Sequence, residues 1–171
     1  MNPEIMQIEE EWARLVALAE ACALAKGLDP TMVRAICQVE SDWNPWAARH
    51  EPAWKWLWYP RENADQLHLT QPTEQVCQMT SWGLMQIMGA VARERGFTGH
   101  LTALCKPEVG LEYGCRQLVW LRTFAGDDAD LIAAYNGGRG AMKKLPSGMY
   151  PNQRYVDKVH RAMIALRGLQ S

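Results

Sequence analysis

The sequence lacks the short motifs with which proteins usually bind zinc. Its five cysteines form no Cys-x-x-Cys pair, its four histidines are scattered, and no His-Glu-x-x-His segment occurs. Because zinc sites draw on closely spaced ligands, we expect no metal site, and no residue pattern calls for a cofactor. Cys22 and Cys37 lie on apolar faces of predicted helices, which is typical of small hydrophobic side chains in a reduced protein.

The chain also has almost no net charge, with a formal value of −1. Such a chain has no overall field that would attract nucleic acid, so we expect no nucleic-acid partner. The C-terminal segment is the exception, because residues 136–171 carry seven basic residues and one acidic residue. This segment, which includes Lys143 and Lys144, either contacts an anionic polymer weakly or forms a solvated basic helix face.

Long apolar runs are absent as well. None approaches the ~20 residues that span a bilayer, so we expect no stable membrane insertion. The first residues, MNPEIMQIEEEW, lack the basic and apolar regions of a signal peptide. A length of 171 residues suits one domain with a sizeable core. We therefore predict a single domain over residues 1–171 that acts as a monomer.

Helical periodicity is the strongest signal present. Apolar residues recur at steps of three and four, Asp29-Pro30 resembles an N-cap followed by a first-turn proline, and Gly27 and Gly96 are placed to end helices. The fold class is therefore mainly α, with a short β-hairpin or extended segment over residues 81–89. We predict an N-terminal helix within residues 1–27 and further helices over 30–41, 89–95, 107–124, 127–136 and 152–168.

Residues 45–82 form the segment that is hardest to interpret. They contain the run WKWLWYP (54–60) and several prolines, and we predict an irregular insertion with at most one helical turn. The aromatic residues of this run either stack on a sugar or anchor the insertion to the core, and we expect at least two of them to be anchors. The aromatic residues of the run are Trp54, Trp56, Trp58 and Tyr59.

Glu40 is the best candidate for a catalytic residue. It lies four residues after Ile36 and seven after Val33, so it projects from their apolar helix face. It also lies in the last helical turn, at the negative end of the helix dipole. Both effects disfavour the charged carboxylate and should raise its pKa, as a general acid requires. Asp42 should point away from this site.

Three further motifs accompany Glu40-Ser41 in a fixed order. They are Gly83-Leu84-Met85-Gln86, Ala134-Tyr135-Asn136-Gly137-Gly138 and Tyr155-Val156. Together they resemble the signature of the soluble-type lytic transglycosylases, which belong to the lysozyme-like superfamily, and the resemblance covers roughly residues 28–165. It implies a lysozyme-like fold and an enzyme that cleaves peptidoglycan glycan strands.

The resemblance also implies a role for each matching residue. Glu40 matches the single catalytic acid, which protonates the oxygen between N-acetylmuramic acid and N-acetylglucosamine and then, as base, helps the muramoyl 6-hydroxyl close on C1 to give a 1,6-anhydro sugar. One carboxylate suffices for this reaction, because the nucleophile belongs to the substrate. The matching substrate-binding positions are Ser41, Leu84, Met85, Gln86, Tyr135, Asn136 and Tyr155.

Two other interpretations remain open. A hydrolytic muramidase would need a second carboxylate to activate water, and Glu51, within the insertion, is the candidate. Otherwise Glu51 is a surface carboxylate before a proline. The chain could also be a non-catalytic wall-binding component of a virion or secretion apparatus, although Glu40, Gln86, Tyr135 and Asn136 are all intact.

The location of the substrate bears on how the protein reaches it. Peptidoglycan lies outside the inner membrane, whereas the sequence as written carries no export signal. We therefore expect synthesis in the cytoplasm and action on the cell wall after phage-induced release, delivery with a virion or export by a secretion system. The basic C-terminal segment would then contact the anionic envelope weakly or serve as a solubilising surface.

Overall fold

The computed structural model describes residues 3–168, which are mostly helical. No helix in this range is both long and apolar enough to cross a membrane. Two short 3₁₀ helices, Leu101–Cys105 and Arg139–Met142, accompany the α-helices. The eight α-helices of the described range are α1 (Pro3–Ala25), α2 (Pro30–Ser41), α3 (Pro60–Gln66), α4 (Gln71–Gln78), α5 (Gly89–Glu94), α6 (Pro107–Arg122), α7 (Asp128–Gly137) and α8 (Gln153–Gly168).

A small antiparallel sheet accompanies the helices. Its strands are β1 (Ala48–His50), β2 (Thr80–Trp82) and β3 (Ile87–Met88), in the order β1-β2-β3. Arg49 pairs with Ser81, and Ser81 pairs with Met88 on its other side. The mainly α fold class is therefore confirmed, and so is the predicted short β segment.

The predicted irregular insertion is wrong in part. Residues 45–82 contain β1, α3, α4 and β2. Pro60 and Pro72 lie in the first turns of α3 and α4, and the Thr70 side chain caps α4 by accepting a hydrogen bond from the amide of Thr73. Proline in a first turn starts a helix because its missing N–H has no intrahelical partner in any case. These prolines are therefore helix starts and not breaks.

The helix predicted over residues 30–41 is confirmed as α2, with the same bounds. The Asp29 carboxylate accepts from the Thr31 amide at 2.8 Å and caps the start. At the other end, Asp42 and Trp43 adopt left-handed backbone angles, with φ of 51° and 63°. The chain therefore leaves the helix before Pro45. Asp42 is exposed and accepts a hydrogen bond from Gln38, so it points away as predicted.

The main core lies around α2. The side chains of Val33 and Ile36 are completely buried, and α2 packs against α1 and α8. Helix α6 contributes Leu111 and Leu118 to the same core, whereas Val119 is 40% exposed. Neighbouring helical positions point about 100° apart, so Val119 is turned away from the buried face. All five cysteines are free thiols.

A second buried feature is a polar network between α4 and α5. Both carboxylate oxygens of Glu74 accept from the guanidinium of Arg93, at 2.8 and 3.0 Å, and both side chains are 0% exposed. Gln78 donates to Glu74 at 2.9 Å. Arg93 also donates to the carbonyls of Phe97 and Gly99. This network joins the insertion to the rest of the molecule.

Candidate active site

A groove of about 750 Å³ runs over the sheet and the ends of several helices. Glu40 reaches it from the last turn of α2, and Glu51 from the segment after β1. Other parts of its wall come from β3, α5, α6 and the turn between α7 and the 3₁₀ helix at 139–142. Further lining residues are Arg49, Trp54, Trp56, Gln86, Glu94, Trp120, Tyr135, Asn136 and Arg139.

Glu40 has the surroundings expected of a general acid. Burial against its apolar neighbours raises the pKa of its carboxyl group, and this outweighs the hydrogen bond from Tyr155 and the charge of Arg49, which lower it. The Tyr155 hydroxyl donates to Glu40 Oε1 at 2.7 Å. The predicted direction of the pKa shift is therefore supported, with desolvation as its main cause.

Two tyrosine hydroxyls lie close to this carboxyl group. Tyr135 donates to the carbonyl of Met85 at 2.8 Å, and Tyr155 donates to Glu40 itself. Burial, and next the negative charge of Glu40, raise the pKa of both phenols well above the usual value. Both tyrosines therefore stay protonated at neutral pH and serve as neutral hydrogen-bonding groups.

Three of the predicted substrate-binding residues lie behind the groove wall. Ser41 Oγ donates to the carbonyl of Leu84 at 2.8 Å and ties the end of α2 to the turn between β2 and β3. The side chains of Leu84 and Met85 are buried. None of the three is among the residues that line the groove. Their contribution here is to fix the turn that carries Gln86.

Gln86 and Asn136 do line the groove. Gln86 has a φ of 47°, and its side-chain amide donates to the carbonyls of Ala47 and Gly83, both at 3.0 Å. Asn136 is exposed, and its Oδ1 accepts from Asn152 at 3.0 Å. Asn152 was not predicted, and nothing in its local sequence distinguishes it from an ordinary polar residue.

Gly83 shows why this turn needs glycine. Its φ is +69°, and an added Cβ would lie 2.3 Å from the carbonyl oxygen of Leu104. A side chain here would be strained by the backbone angle and would also collide with a backbone atom. The glycine therefore allows the turn before Gln86 to pack against the 3₁₀ helix at 101–105.

Glu51 lines the same groove as Glu40. Its carboxylate forms an ion pair with Arg49 Nε at 2.5 Å, and Arg49 is the cation whose charge also lowers the pKa of Glu40. The role of Glu51 as a second catalytic carboxylate stays a prediction.

At least two aromatic residues of the run 54–60 were expected to anchor the insertion to the core, and the structure differs from this expectation. Trp56 is 74% exposed, Tyr59 61% and Trp58 41%, so none of these three side chains is inserted in the core. Trp54 is half-buried, and Trp54 and Trp56 both line the groove. Their alternation with Lys55 and Leu57 was the only signal in the sequence that could have identified them.

Other lining residues were not predicted either. Arg139 lies over the rings of Trp120 and Phe124, with its guanidinium carbon 5.5 and 4.7 Å from their centroids. Arg95 covers Trp120 at 3.9 Å. These cation–π contacts hold one wall of the groove in place. In the described range, 3–168, no group of three or more His, Cys, Asp or Glu residues is arranged to hold a metal ion.

A family model identifies the relatives of this chain. The model of the transglycosylase SLT domain matches residues 17–154, which include Glu40, Gln86, Tyr135 and Asn136, while Tyr155 lies just beyond the match. No curated protein matches the chain. The mainly α fold with its small antiparallel sheet agrees with the lysozyme-like fold of this family. The chain therefore belongs to the transglycosylase SLT domain family, the soluble lytic transglycosylases whose general activity is the cleavage of peptidoglycan.

Proposed function

We propose that this protein cleaves the β-1,4 bond between N-acetylmuramic acid and N-acetylglucosamine without water and leaves a 1,6-anhydro sugar. One observation carries the proposal: Glu40 is a groove-lining carboxyl group whose pKa is raised by burial and whose hydrogen-bond partner is a neutral tyrosine. A carboxyl group in this state keeps its proton to higher pH than an ordinary glutamate does, and its carboxylate can also accept a proton.

The reaction then follows from a single carboxyl group. Protonated Glu40 gives its proton to the glycosidic oxygen as the bond from that oxygen to C1 of the muramoyl residue breaks. The 6-hydroxyl oxygen of the same residue bonds to C1, and its proton passes to the Glu40 carboxylate. Glu40 ends as it began, and no water is consumed. The nucleophile is already held near C1, which replaces the second carboxylate of ordinary glycosidases.

The neighbouring residues support this chemistry by position. Tyr155 holds Oε1 of Glu40 through its hydroxyl, so Oε2 is the oxygen left to face the glycosidic bond. Gln86 and Asn136 line the groove with Glu40 and offer neutral polar groups to the sugar. Tyr135 is a positioning residue, because its hydroxyl is held by the Met85 carbonyl.

The position of Glu51 in the groove favours a second candidate, a hydrolytic muramidase. In that mechanism Glu51 would take a proton from water, and the water oxygen would bond to C1. The ion pair with Arg49 occupies one oxygen of Glu51 and competes with such a role. The anhydro reaction is therefore preferred.

The test is the mass of the products released from purified peptidoglycan. The parent protein should release anhydro-muropeptides, which are one water lighter than reducing products, and Glu40→Gln should release none while remaining folded. Glu51→Gln should still give anhydro products, as should the matched control Glu62→Gln, whose side chain is exposed on α3 outside the groove.

The other outcomes separate the alternatives. Reducing-end products that disappear in Glu51→Gln would establish the muramidase. No products from the parent protein would favour a non-catalytic wall-binding role. Activity of Glu40→Gln equal to that of the parent would contradict both catalytic mechanisms.

We further propose that the chain acts as a single-domain monomer on glycan strands on the outer side of the inner membrane, because that is where this substrate lies. Phage-induced release, delivery with a virion or export by a secretion system would each bring it there. Lys143 and Lys144 are exposed and available to the anionic envelope. Sedimentation of the purified protein with and without glycan strands tests the oligomeric state.

A further inference from the structure

Two tryptophans of the insertion line the groove and are not buried in the core. Trp56 is 74% exposed and Trp54 is half-buried, and both line the groove that contains Glu40. An exposed indole ring forgoes the stabilisation that its burial in the core would give. Two tryptophan rings in one groove, together with a carboxyl group whose pKa is raised, are typical of a ligand site.

The two rings hold each other in a fixed arrangement. Their centroids lie 5.5 Å apart with an interplanar angle of 76°, so they meet edge to face. The indole N–H of Trp54 donates to the carbonyl of Trp56 at 2.6 Å. The polar atom of Trp54 is thereby satisfied within the segment. Because the rings are nearly perpendicular, a ligand stacks on the face of one ring and displaces no side-chain hydrogen bond of Trp54.

The segment that carries the rings is attached to the fold on both sides. Before the rings, the amide of Glu51 donates to the carbonyl of Met79 at 2.7 Å. After them, the backbone N–H and carbonyl of Trp58 both bond to the side chain of Gln78, at 2.7 and 2.9 Å. Gln78 is itself held by Glu74 of the buried network. The rings are therefore positioned before any ligand arrives, which lowers the entropic cost of binding.

A second aromatic pair in the same insertion does not line the groove. Trp58 and Tyr59 also meet edge to face, with centroids 5.1 Å apart, and both are exposed. Neither is among the residues that line the groove. The chain therefore contains one aromatic pair that faces the groove and one that does not, at neighbouring positions.

We propose that the exposed ring of Trp56, held in place by Trp54, is a stacking platform for a sugar ring of the glycan strand, in the groove that contains Glu40; the identity of the strand as peptidoglycan rests on the proposed function. A pyranose ring offers an apolar face of C–H groups that matches the flat indole surface, while its hydroxyls remain available to the polar lining residues. The platform adds affinity for the strand and takes no part in proton transfer.

The test measures binding separately from catalysis. The full chain with Glu40→Gln is titrated with a soluble, peptide-free oligomer of alternating N-acetylglucosamine and N-acetylmuramic acid, and the affinity is determined by calorimetry. Adding Trp56→Ala should weaken binding about 10-fold, as expected for the loss of an aromatic anchor. Trp56→Phe should recover part of the loss. The matched control Trp58→Ala keeps both backbone bonds to Gln78 and should change affinity less than about 2-fold.

The active protein provides a second readout. Trp56→Ala alone should raise KM for the same oligomer with kcat nearly unchanged, because a platform that holds substrate and transition state equally well contributes uniform binding. Thermal unfolding checks that each variant is folded. Equal affinities for Trp56→Ala and Trp58→Ala, or no binding of the oligomer by Glu40→Gln, would overturn the platform. The products of the parent protein decide the proposed function independently, so the two failures are distinguishable.

Discussion

Glu40 and Glu74 are both carboxyl groups withdrawn from water, and their partners differ completely. Glu74 is fully buried and meets the guanidinium of Arg93 with both oxygens, and it also accepts from Gln78. Glu40 meets the hydroxyl of Tyr155, and Arg49 acts on it only through its charge. A buried carboxylate matched by a buried cation holds the structure together, whereas one matched by a neutral donor can exchange a proton.

The surroundings of the two groups explain the difference. Arg93 also donates to the carbonyls of Phe97 and Gly99, and neither Glu74 nor Arg93 lines the groove. Glu40 lies at the end of α2 and borders the groove. The same side chain is therefore part of a structural network at one position and, in the proposed mechanism, the proton donor at the other.

The largest expected effect comes from breaking the pair at Glu74. Glu74→Gln removes the negative charge and leaves Arg93 charged and buried, which should lower the free energy of unfolding by about 3–5 kcal/mol. The measurement is urea denaturation followed by circular dichroism. Glu108→Gln, at an exposed position at the start of α6, is the control and should change stability by less than about 1 kcal/mol. A Glu74→Gln variant as stable as this control would contradict the structural role.

Removal of the Tyr155 hydroxyl should have the next largest effect. Tyr155→Phe leaves Glu40 without its hydrogen-bond partner, so the acid is less well oriented and kcat should fall between about 10-fold and 100-fold. Because this bond lowers the pKa of Glu40, its loss should also move the alkaline limb of the activity profile to higher pH. The pH dependence of kcat/KM measures both effects.

A matched control is available for this variant. Tyr113→Phe removes the hydroxyl of a ring that packs against Phe97 and does not line the groove, and it should leave kcat and the alkaline limb unchanged. A Tyr155→Phe profile displaced to lower pH would show that the hydroxyl stabilises the protonated form of Glu40, opposite to the expectation.

Glu40 also links the stability of the protein to pH. The pKa of Glu40 is higher in the folded protein than its ordinary value of 4.5, so the folded state holds this proton more tightly. Its stabilising contribution is complete below about pH 4.5 and is lost as the pH rises through the folded-state pKa. Relative to the parent protein, Glu40→Gln should therefore become more stable as the pH rises across this window. Thermal unfolding at a series of pH values tests the sign, and a decline would contradict it.

The sequence predicts one of these two carboxyl groups and not the other. The position of Glu40 follows from helical spacing after Val33 and Ile36, which is local information. Glu74 lies in α4, within the stretch predicted to be irregular, and its partner Arg93 lies on another helix. Only tertiary packing brings the pair together, so neither the pair nor its link to Gln78 could be expected.

The partner of Glu40 illustrates the same limit. Tyr155 lies 115 residues further along the chain and reaches Glu40 because α8 packs against α2. The family resemblance placed a tyrosine near the acid, but periodicity alone did not. The exposure of Trp56 was likewise beyond the sequence, because an indole ring suits a core and a binding groove equally well.

The smallest expected effect comes from Arg49, the cation whose charge lowers the pKa of Glu40. Arg49 lowers the pKa of Glu40 through its charge, but its own side chain is 67% exposed, so water and salt screen the interaction. Arg49→Gln should move the alkaline limb of kcat/KM upward by less than about one pH unit. Raising the ionic strength should shift the alkaline limb of the parent protein in the same direction.

Arg122→Gln, which breaks an exposed ion pair with Asp128 outside the groove, is the control and should leave the alkaline limb where it is. If the limb stayed in place in Arg49→Gln at low salt, burial and Tyr155 alone would set the pKa of the acid.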